Sequence, residues 1–344
     1  MKKTGIIGHF GFGFKCYDGQ TVKTIMIAEE LERQLKKENV SCYDTHGGIK
    51  KICQILFSCI KCLKKCDNVV AMPDSNGVKV IFPWLVAFNR AFKRRIHYVV
   101  IGGWLPEFVA KRKYLSGVLK KLDGIYVETN TMKKALESQG FENIHIMPNC
   151  KKLTVLSEEE LVYPEGVPYK LCTFSRVMKE KGIEDAVNAV IKVNTELGYT
   201  AYTLDIYGQV DANQTEWFDE LQSSFPEYIF YGGLVPFDKS VEVLKNYFAL
   251  LFPTYYEGEG FAGTLIDAFS AGVPVIASDW KYNSEIVNER VGYVYPAREQ
   301  KELEKILFTV VKNPNDILSK KSSCLEESRM YDIERTVRVL TQFL

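Results

Sequence analysis

Two carboxylates bracket a glycine loop in Glu259-Gly260-Phe261-Ala262-Gly263-Thr264-Leu265-Ile266-Asp267, and that spacing is the strongest chemical signal in the chain. The apolar run Ala249–Pro253 before it and the run Pro274–Ala277 after it read as buried strands, so a loop and one helix must lie between them. The helix is expected to begin near Gly263 and Thr264, with the Thr264 hydroxyl capping its first amides, and to stop at Gly272 ahead of Pro274. A phosphate or sugar hydroxyl at that helix start would meet backbone N–H groups and the positive end of the helix dipole. Glu259 in the loop and Asp267 one turn inside the helix are placed to face one ligand. Carboxylates accept hydrogen bonds from vicinal diols, which suits the many hydroxyls of a nucleotide sugar.

Two further loops fall at strand ends. In Phe174-Ser175-Arg176-Val177-Met178-Lys179-Glu180-Lys181-Gly182, Arg176 and Lys181 are expected to flank a diphosphate, a rigid fork and a mobile ammonium neutralising leaving-group charge. Gly8-His9-Phe10-Gly11-Phe12-Gly13 follows the first strand and lets the backbone approach a ligand closely. Its spacing is not that of a dinucleotide fingerprint, so Gly11 and Gly13 read as a sugar or phosphate loop, with NAD binding and an ordinary tight turn as the alternatives.

The elements that carry these loops alternate strand and helix through both halves. Strands are expected at Thr4–Gly8, Val40–Asp44, Asn68–Met72, Ile96–Ile101, Gly124–Glu128 and Asn143–Met147, and again at Tyr169–Ser175, Tyr202–Tyr207, Tyr228–Tyr231, Ala249–Pro253 and Pro274–Ala277. Amphipathic stretches between them, such as Val22–Lys37, Val109–Lys120 and Ile183–Leu197, read as helices, so parallel sheets covered on both faces are predicted. Ligands of such sheets bind beyond the carboxyl ends of the strands, where all these loops lie. The acidic, proline-containing stretch Cys150–Pro168 reads as the linker. It divides the chain into domains 1–160 and 161–331, with a last helix over 332–344 that has no following strand and is free to pack back on the first domain.

With 344 residues, two domains are the natural expectation. The sequence has no apolar run long enough to span a bilayer, and its start turns into the Gly-rich loop before a signal-peptide core is complete, so a cytoplasmic location is expected. Nine cysteines without framework spacing fit a reducing compartment, and Cys59, Cys62 and Cys66 read as small apolar residues of a helix rather than as metal ligands. The net charge of +1 hides a division: residues 1–150 hold 24 Lys and Arg against 13 Asp and Glu, a balance of +11, and the remainder hold 20 against 30, a balance of −10. A basic half attracts anionic lipid or phosphorylated substrates. No nucleic-acid module accompanies the charge, so nucleic acid is not among the expected partners. Trp84 to Arg95, with Phe88, Arg90, Phe92, Lys93 and Arg94, is the segment where aromatics and cations alternate as for docking on an anionic leaflet; core-facing amphipathic helix is its other reading.

Taken together, Ser175-Arg176-x4-Lys181-Gly182, Ile206-Tyr207-Gly208, Tyr231-Gly232-Gly233-Leu234-Val235-Pro236 and Glu259-Gly260-Phe261-x5-Asp267-Ala268 resemble the motifs of glycosyltransferase family 4, over most of residues 165–290. In the first half the resemblance is thinner and rests on the Gly-rich opening, Val127-Glu128-Thr129-Asn130 and Met147-Pro148-Asn149. The resemblance implies the GT-B fold, two Rossmann-like doubly wound parallel-sheet domains facing a central cleft. It implies a retaining transfer of sugar from a nucleoside-diphosphate donor, without a cofactor, to a glycan or lipid-linked acceptor in surface polysaccharide assembly; no Asp-x-Asp motif appears, so metal independence is expected, and the basic half is what suggests the inner face of the membrane. By the same resemblance Glu259, Arg176 and Lys181 are the catalytic set, and Gly11, Gly13, Gly260, Phe261, Ala262, Gly263, Thr264 and Asp267 bind the donor. Two positions depart from the family. Asp267 stands where a glutamate usually holds the ribose diol, and Ile101-Gly102-Gly103-Trp104 holds no histidine where many members have one, with His9 and His97 read as structural. A nucleotide-sugar epimerase of this fold and a catalytically silent binding subunit are the alternative readings.

Overall fold

The computed structural model describes residues 2–12, 19–47, 52–152 and 154–344. It divides into two compact units, Met1–Lys152 with Asp332–Leu344, and Leu153–Tyr331. The division falls ahead of the expected boundary at 160. The reason is local: the Leu156 amide donates to the Ser270 carbonyl, and a Cβ on Gly272 would meet Leu161 Cδ2 at 2.1 Å, so Leu156 and Leu161 pack on the second unit.

The first unit holds a six-stranded sheet of β1 (Thr4–Gly8), β2 (Val40–Asp44), β3 (Asn68–Met72), β4 (Arg95–Val99), β5 (Gly124–Val127) and β6 (Ile144–Ile146). The strands are parallel and run in the order β2-β1-β3-β4-β5-β6. Its helices are α1 (Gly19–Leu35), α2 (Ile52–Lys65), α3 (Val78–Phe92), α4 (Leu105–Ala110), α5 (Lys113–Leu119) and α6 (Asn130–Glu137). Because helices cover the sheet, β1 and β3 are buried at every residue, which is why they read as unbroken apolar runs. On α2 the buried residues are Ile55, Cys59, Cys62 and Leu63. A side chain at Gly5 would strike Cys62 Sγ at 2.2 Å, so glycine there lets the thiols pack on β1. The single helix expected over Val109–Lys120 is two, broken where Arg112 leaves helical geometry (φ −140°, ψ 73°) and lays its guanidinium 3.8 Å from the Phe108 ring centroid.

The second unit repeats the plan with β7 (Tyr169–Phe174), β8 (Tyr202–Tyr207), β9 (Ile229–Gly233), β10 (Ala249–Phe252), β11 (Val275–Asp279) and β12 (Gly292–Pro296). Their order is β12-β11-β10-β7-β8-β9, again all parallel. The helices are α7 (Ile183–Leu197), α8 (Thr215–Ser223), α9 (Ser240–Leu244), α10 (Gly263–Ser270), α11 (Asn283–Ile286), α12 (Gln300–Lys312), α13 (Pro314–Leu318) and α14 (Lys321–Ser328). Strand residues Leu171, Leu204, Ile206, Leu251 and Ile276 pack with Val187, Val190 and Val193 of α7 and with Leu303, Leu307 and Val310 of α12. The strand β12 and helices α12 to α14 have no counterpart in the sequence reading. A short edge strand bounded by glycine and proline carries little periodicity of its own.

The chain then returns to the first unit. α15 (Ile333–Thr341) is capped by the Asp332 carboxylate and buries Ile333, Val337 and Leu340 against Ile27 and Leu31 of α1. The spacing of those three apolar residues is one helix face.

Candidate active site

In the second sheet the chain runs outward from β7 in one direction and from β10 in the other, so β7 and β10 are neighbours whose following loops diverge. That switch point is where doubly wound sheets leave a crevice for a ligand. Lys181 lies on the loop after β7 and Glu259 on the loop after β10, and the structure brings them together: Lys181 Nζ is 2.6 Å from Glu259 Oε2. Two backbone features allow it. Gly182 has φ 69°, and a Cβ there would meet the Pro253 carbonyl oxygen at 2.2 Å, so only glycine lets the loop pass this close to the end of β10. The Tyr255 amide then donates to the Glu180 carbonyl at 2.8 Å, stitching the two loops.

The Glu259 carboxylate is buried at 6% exposure, and its Oε2 also accepts the Thr254 hydroxyl at 2.8 Å. Both donors reach the same oxygen, so the carboxylate is held through Oε2. The Lys181 ammonium lies 5.0 Å from the Tyr256 ring centroid. A half-dry ammonium is a compact positive charge that needs no reorganisation to meet a developing anion.

Gly260, Phe261 and Ala262 lead into α10, whose N-cap residue Ala262 contributes no side-chain bond. The expected Thr264 cap is therefore corrected. Thr264 lies inside the first turn, and its hydroxyl instead donates to the Phe174 carbonyl at 2.6 Å, pinning the start of α10 to the end of β7. A helix start without a side-chain cap directs first-turn amides outward and is suited to an anion. Asp267 sits on the buried side of this helix, 6% exposed. Arg176 differs from Lys181: its side chain is 58% exposed and makes a loose 3.6 Å pair with Asp211. Gly208 (φ 139°) brings the end of β8 against it, since a Cβ there would lie 1.7 Å from the Ser175 carbonyl oxygen.

A third layer has no counterpart in the sequence reading. Beyond Ala277, β11 continues to Asp279, and Ser278 Oγ donates to the Thr254 carbonyl at 2.5 Å while Trp280 Nε1 donates to the Tyr256 carbonyl at 2.8 Å. Lys281 pairs with Glu257 at 3.0 Å, and the Arg298 guanidinium lies 4.7 Å from the Tyr255 ring centroid. Lys281 and Arg298 both have positive φ (51° and 65°). The loop from Thr254 to Glu259 is thus braced from the β11 side. The only sequence signal was polar and aromatic residues immediately after a buried strand.

The first unit is built by the same rule, with its switch point between β1 and β3. Gly11 (φ 62°) turns the loop after β1, and the Asp44 carboxylate accepts the amides of Phe10, Gly11 and Phe12 as well as His46. Burial works to raise the Asp44 carboxyl, but those four amides outweigh it and hold the group below its ordinary value. Asp44 thus tethers the glycine loop; Gly13 lies outside the described residues. His9 bridges the Thr21 hydroxyl (2.7 Å) and His46 Nδ1 (2.9 Å). His9 borders a cavity of about 710 Å³ lined also by Gln20, Ile55, Pro73, Asp74 and Ile81. His97 is internal, with Nδ1 3.2 Å from the Tyr126 hydroxyl, and burial lowers it to about 4. In the motif after β5, Glu128 takes Lys23 in a buried 2.5 Å ion pair and Thr129 caps α6. Of the cations expected to face a membrane, Arg94 pairs with Asp67 and Arg95 donates to the Phe343 carbonyl, whereas Trp84 is 41% exposed and stacked on Phe88. Among the described residues, no cluster of three His, Cys, Asp or Glu is arranged to hold a metal, and no helix is long and apolar enough to cross a membrane.

Residues 168–313 match the family model for glycosyl transferases group 1. The match covers the whole Lys181–Glu259 site. A curated relative, the UDP-N-acetylglucosamine–peptide N-acetylglucosaminyltransferase GtfA subunit of Streptococcus gordonii, is 25% identical over 266 residues, 73% of this chain and 50% of its own length. The chain thus spans about half the length of the curated glycosyltransferases it matches. Among solved structures, Anabaena Alr3699/HepE in complex with UDP superposes with a TM-score of 0.77 at 13% identity, over 99% of this chain and 98% of that one. The pneumococcal O-GlcNAc transferase GtfA in complex with UDP and GlcNAc superposes with a TM-score of 0.64 at 19% identity, over 84% of this chain and 58% of that one. Two six-stranded parallel sheets with helices are the GT-B fold expected from the motifs. The match to group 1 is coarser than the family 4 resemblance.

Proposed function

We propose that this chain is a retaining, metal-independent glycosyltransferase that moves a sugar from a nucleoside-diphosphate donor, a UDP-sugar first among them, to a glycan or lipid-linked acceptor in surface polysaccharide assembly. The observation that carries it is the Lys181–Glu259 pair at the β7/β10 switch point, beside the uncapped start of α10. The choice of UDP is supported by the UDP complexes of HepE and GtfA. In this reading Arg176, Lys181 and the amides of Gly260 to Thr264 receive the diphosphate, Glu259 Oε1 takes a hydroxyl of the donor sugar, and Asp267 holds the ribose diol. The acceptor oxygen bonds to the anomeric carbon as its bond to the diphosphate oxygen breaks, and the acceptor's proton passes to that departing oxygen. The protein's share is placement and neutralisation of the leaving charge. The work is assigned to the cytoplasmic side of the membrane.

A peptide acceptor is the second reading, favoured by the peptide transferases among the relatives. A thermal-shift panel of nucleoside diphosphates tests the donor, because a ligand stabilises by RT ln(1 + [L]/Kd). UDP should raise the transition temperature more than ADP or GDP. Product analysis with UDP-sugar alone, with a lipid-linked glycan and with a serine-rich peptide then separates transferase from epimerase or silent subunit. Absence of both nucleotide stabilisation and product would remove the proposal.

A further inference from the structure

Thr254 is 0% exposed, and a hydroxyl buried that deeply must spend its single proton and its lone pairs on protein groups. The Tyr256 amide donates to Oγ1 at 3.2 Å, which occupies one lone pair. Two acceptors compete for the proton: the Glu259 Oε2 at 2.8 Å and the Glu180 carbonyl at 3.3 Å. The carboxylate is both nearer and charged, so the proton points at Glu259. Lys181 reaches the same oxygen from a flexible four-carbon stem, whereas Thr254 is β-branched and stiff. Its backbone is anchored in turn: Ser278 Oγ donates to its carbonyl at 2.5 Å, Asn283 Nδ2 donates to the Ser278 carbonyl at 3.0 Å, and Trp280 Nε1 secures the next turn of the loop at the Tyr256 carbonyl. A continuous chain of hydrogen bonds runs from the end of β11 to one oxygen of Glu259.

We infer that Thr254 is the positioning residue of the Glu259 carboxylate, fixing the plane in which Oε1 meets the donor sugar, with Ser278 and Trp280 holding Thr254 in place. This rests on the reading of Glu259 as a donor-sugar contact. Thr254 touches no reacting atom; it acts through Glu259.

The test is a double-mutant cycle on the full chain with UDP-glucose and UDP-N-acetylglucosamine hydrolysis and transfer as the assay, joined to a crystal structure of the Thr254→Val protein. Valine keeps the shape and removes the proton. Losing a hydrogen bond to a charged group is expected to lower kcat by about 10- to 100-fold with the donor KM little changed. Thr254→Ser, which retains the hydroxyl, restores most of the rate, and Thr254→Val added to Glu259→Ala costs nothing further. In the crystal the Glu259 carboxylate of Thr254→Val should turn away from its wild-type orientation, with Lys181 as its remaining partner. Wild-type kcat in Thr254→Val, or an equal loss in the Glu259→Ala background, overturns the inference. If the wild-type chain turns over neither UDP-sugar, the transferase reading fails by itself, and the crystal structure still decides: a Glu259 carboxylate unmoved in Thr254→Val overturns the positioning role.

Discussion

Arg176 and Lys181 carry the same formal charge but sit in different surroundings, and their variants should separate accordingly. Lys181→Ala leaves the 6%-exposed Glu259 carboxylate without its ammonium, so the cost is expected both in turnover, roughly 100-fold or more, and in stability, about 3 kcal/mol. Arg176 is exposed and only loosely paired, so Arg176→Ala should lose comparable turnover with the unfolding temperature nearly unchanged. Parallel kinetics and calorimetry check both, and wild-type rates in a folded double mutant would remove this site from the account. Glu259→Ala should lower kcat more than it raises the donor KM, because the sugar carries the developing charge, and Asp267→Ala should do the reverse, because ribose is held alike in ground and transition states. Asp267→Glu is tolerated if the ribose contact tolerates the longer acid, and its KM for UDP-sugar reads that directly.

His97 yields a pH prediction at the same level. Its folded value near 4 lies below the ordinary 6.5, because burial disfavours the charged ring. The unfolded chain therefore takes up the proton first as pH falls. The stability associated with the neutral ring is whole above about pH 6.5 and is lost progressively down to about pH 4, by about 3 kcal/mol in all. Denaturant titrations of wild type and His97→Gln across that window should converge at low pH, and parallel curves would refute the assignment.

Among the elements, α15 shows how a segment remote in sequence completes a core. Leu340 is fully buried in the first unit, and Leu340→Ala is expected to cost about 3 kcal/mol through the cavity it opens. Chemical denaturation followed by probes in each unit should show the loss in the first unit, with UDP stabilisation of the second retained. The second unit's loops behave differently. The loop from Thr254 to Glu259 has no regular structure of its own and is held by Lys181 and the Glu180 carbonyl on the loop after β7, by Ser278 of β11 and by Trp280 and Lys281 in the turn after β11, so its geometry belongs to its neighbours rather than to its propensities.

For the whole molecule, the basic first half motivates a membrane test that the structure has redrawn. Arg94 and Arg95 are engaged with Asp67 and the Phe343 carbonyl, which leaves Arg90 near the end of α3 and Lys93 just after it as the cations to neutralise. The chain is expected to bind vesicles containing phosphatidylserine, to release them as salt is raised, and to bind several-fold less after Arg90→Gln with Lys93→Gln. Sedimentation with phosphatidylcholine vesicles as control checks it; equal binding to neutral vesicles would assign the interaction to apolar insertion instead.

Much of the fold was legible because its signals are local. Short apolar runs and alternations marked the strands, so the fully buried β1 and β3 and the half-buried β2 and β8 appear at their observed bounds, whereas that a side chain at Gly182 or Gly208 would strike a neighbouring carbonyl is visible only in the structure. That Glu259, Lys181 and Arg176 stand on loops after strands was legible, because the strands themselves were, and a doubly wound sheet delivers strand ends to one edge. The partnership of Lys181 with Glu259, the Thr254 hydroxyl on the same Glu259 oxygen and the brace from Ser278 and Trp280 were not. Nor was the choice of Thr264 to bond Phe174 instead of capping its own helix. Those bonds join residues as much as 90 positions apart, and no local propensity records which distant carbonyl a hydroxyl will meet once the sheet has formed.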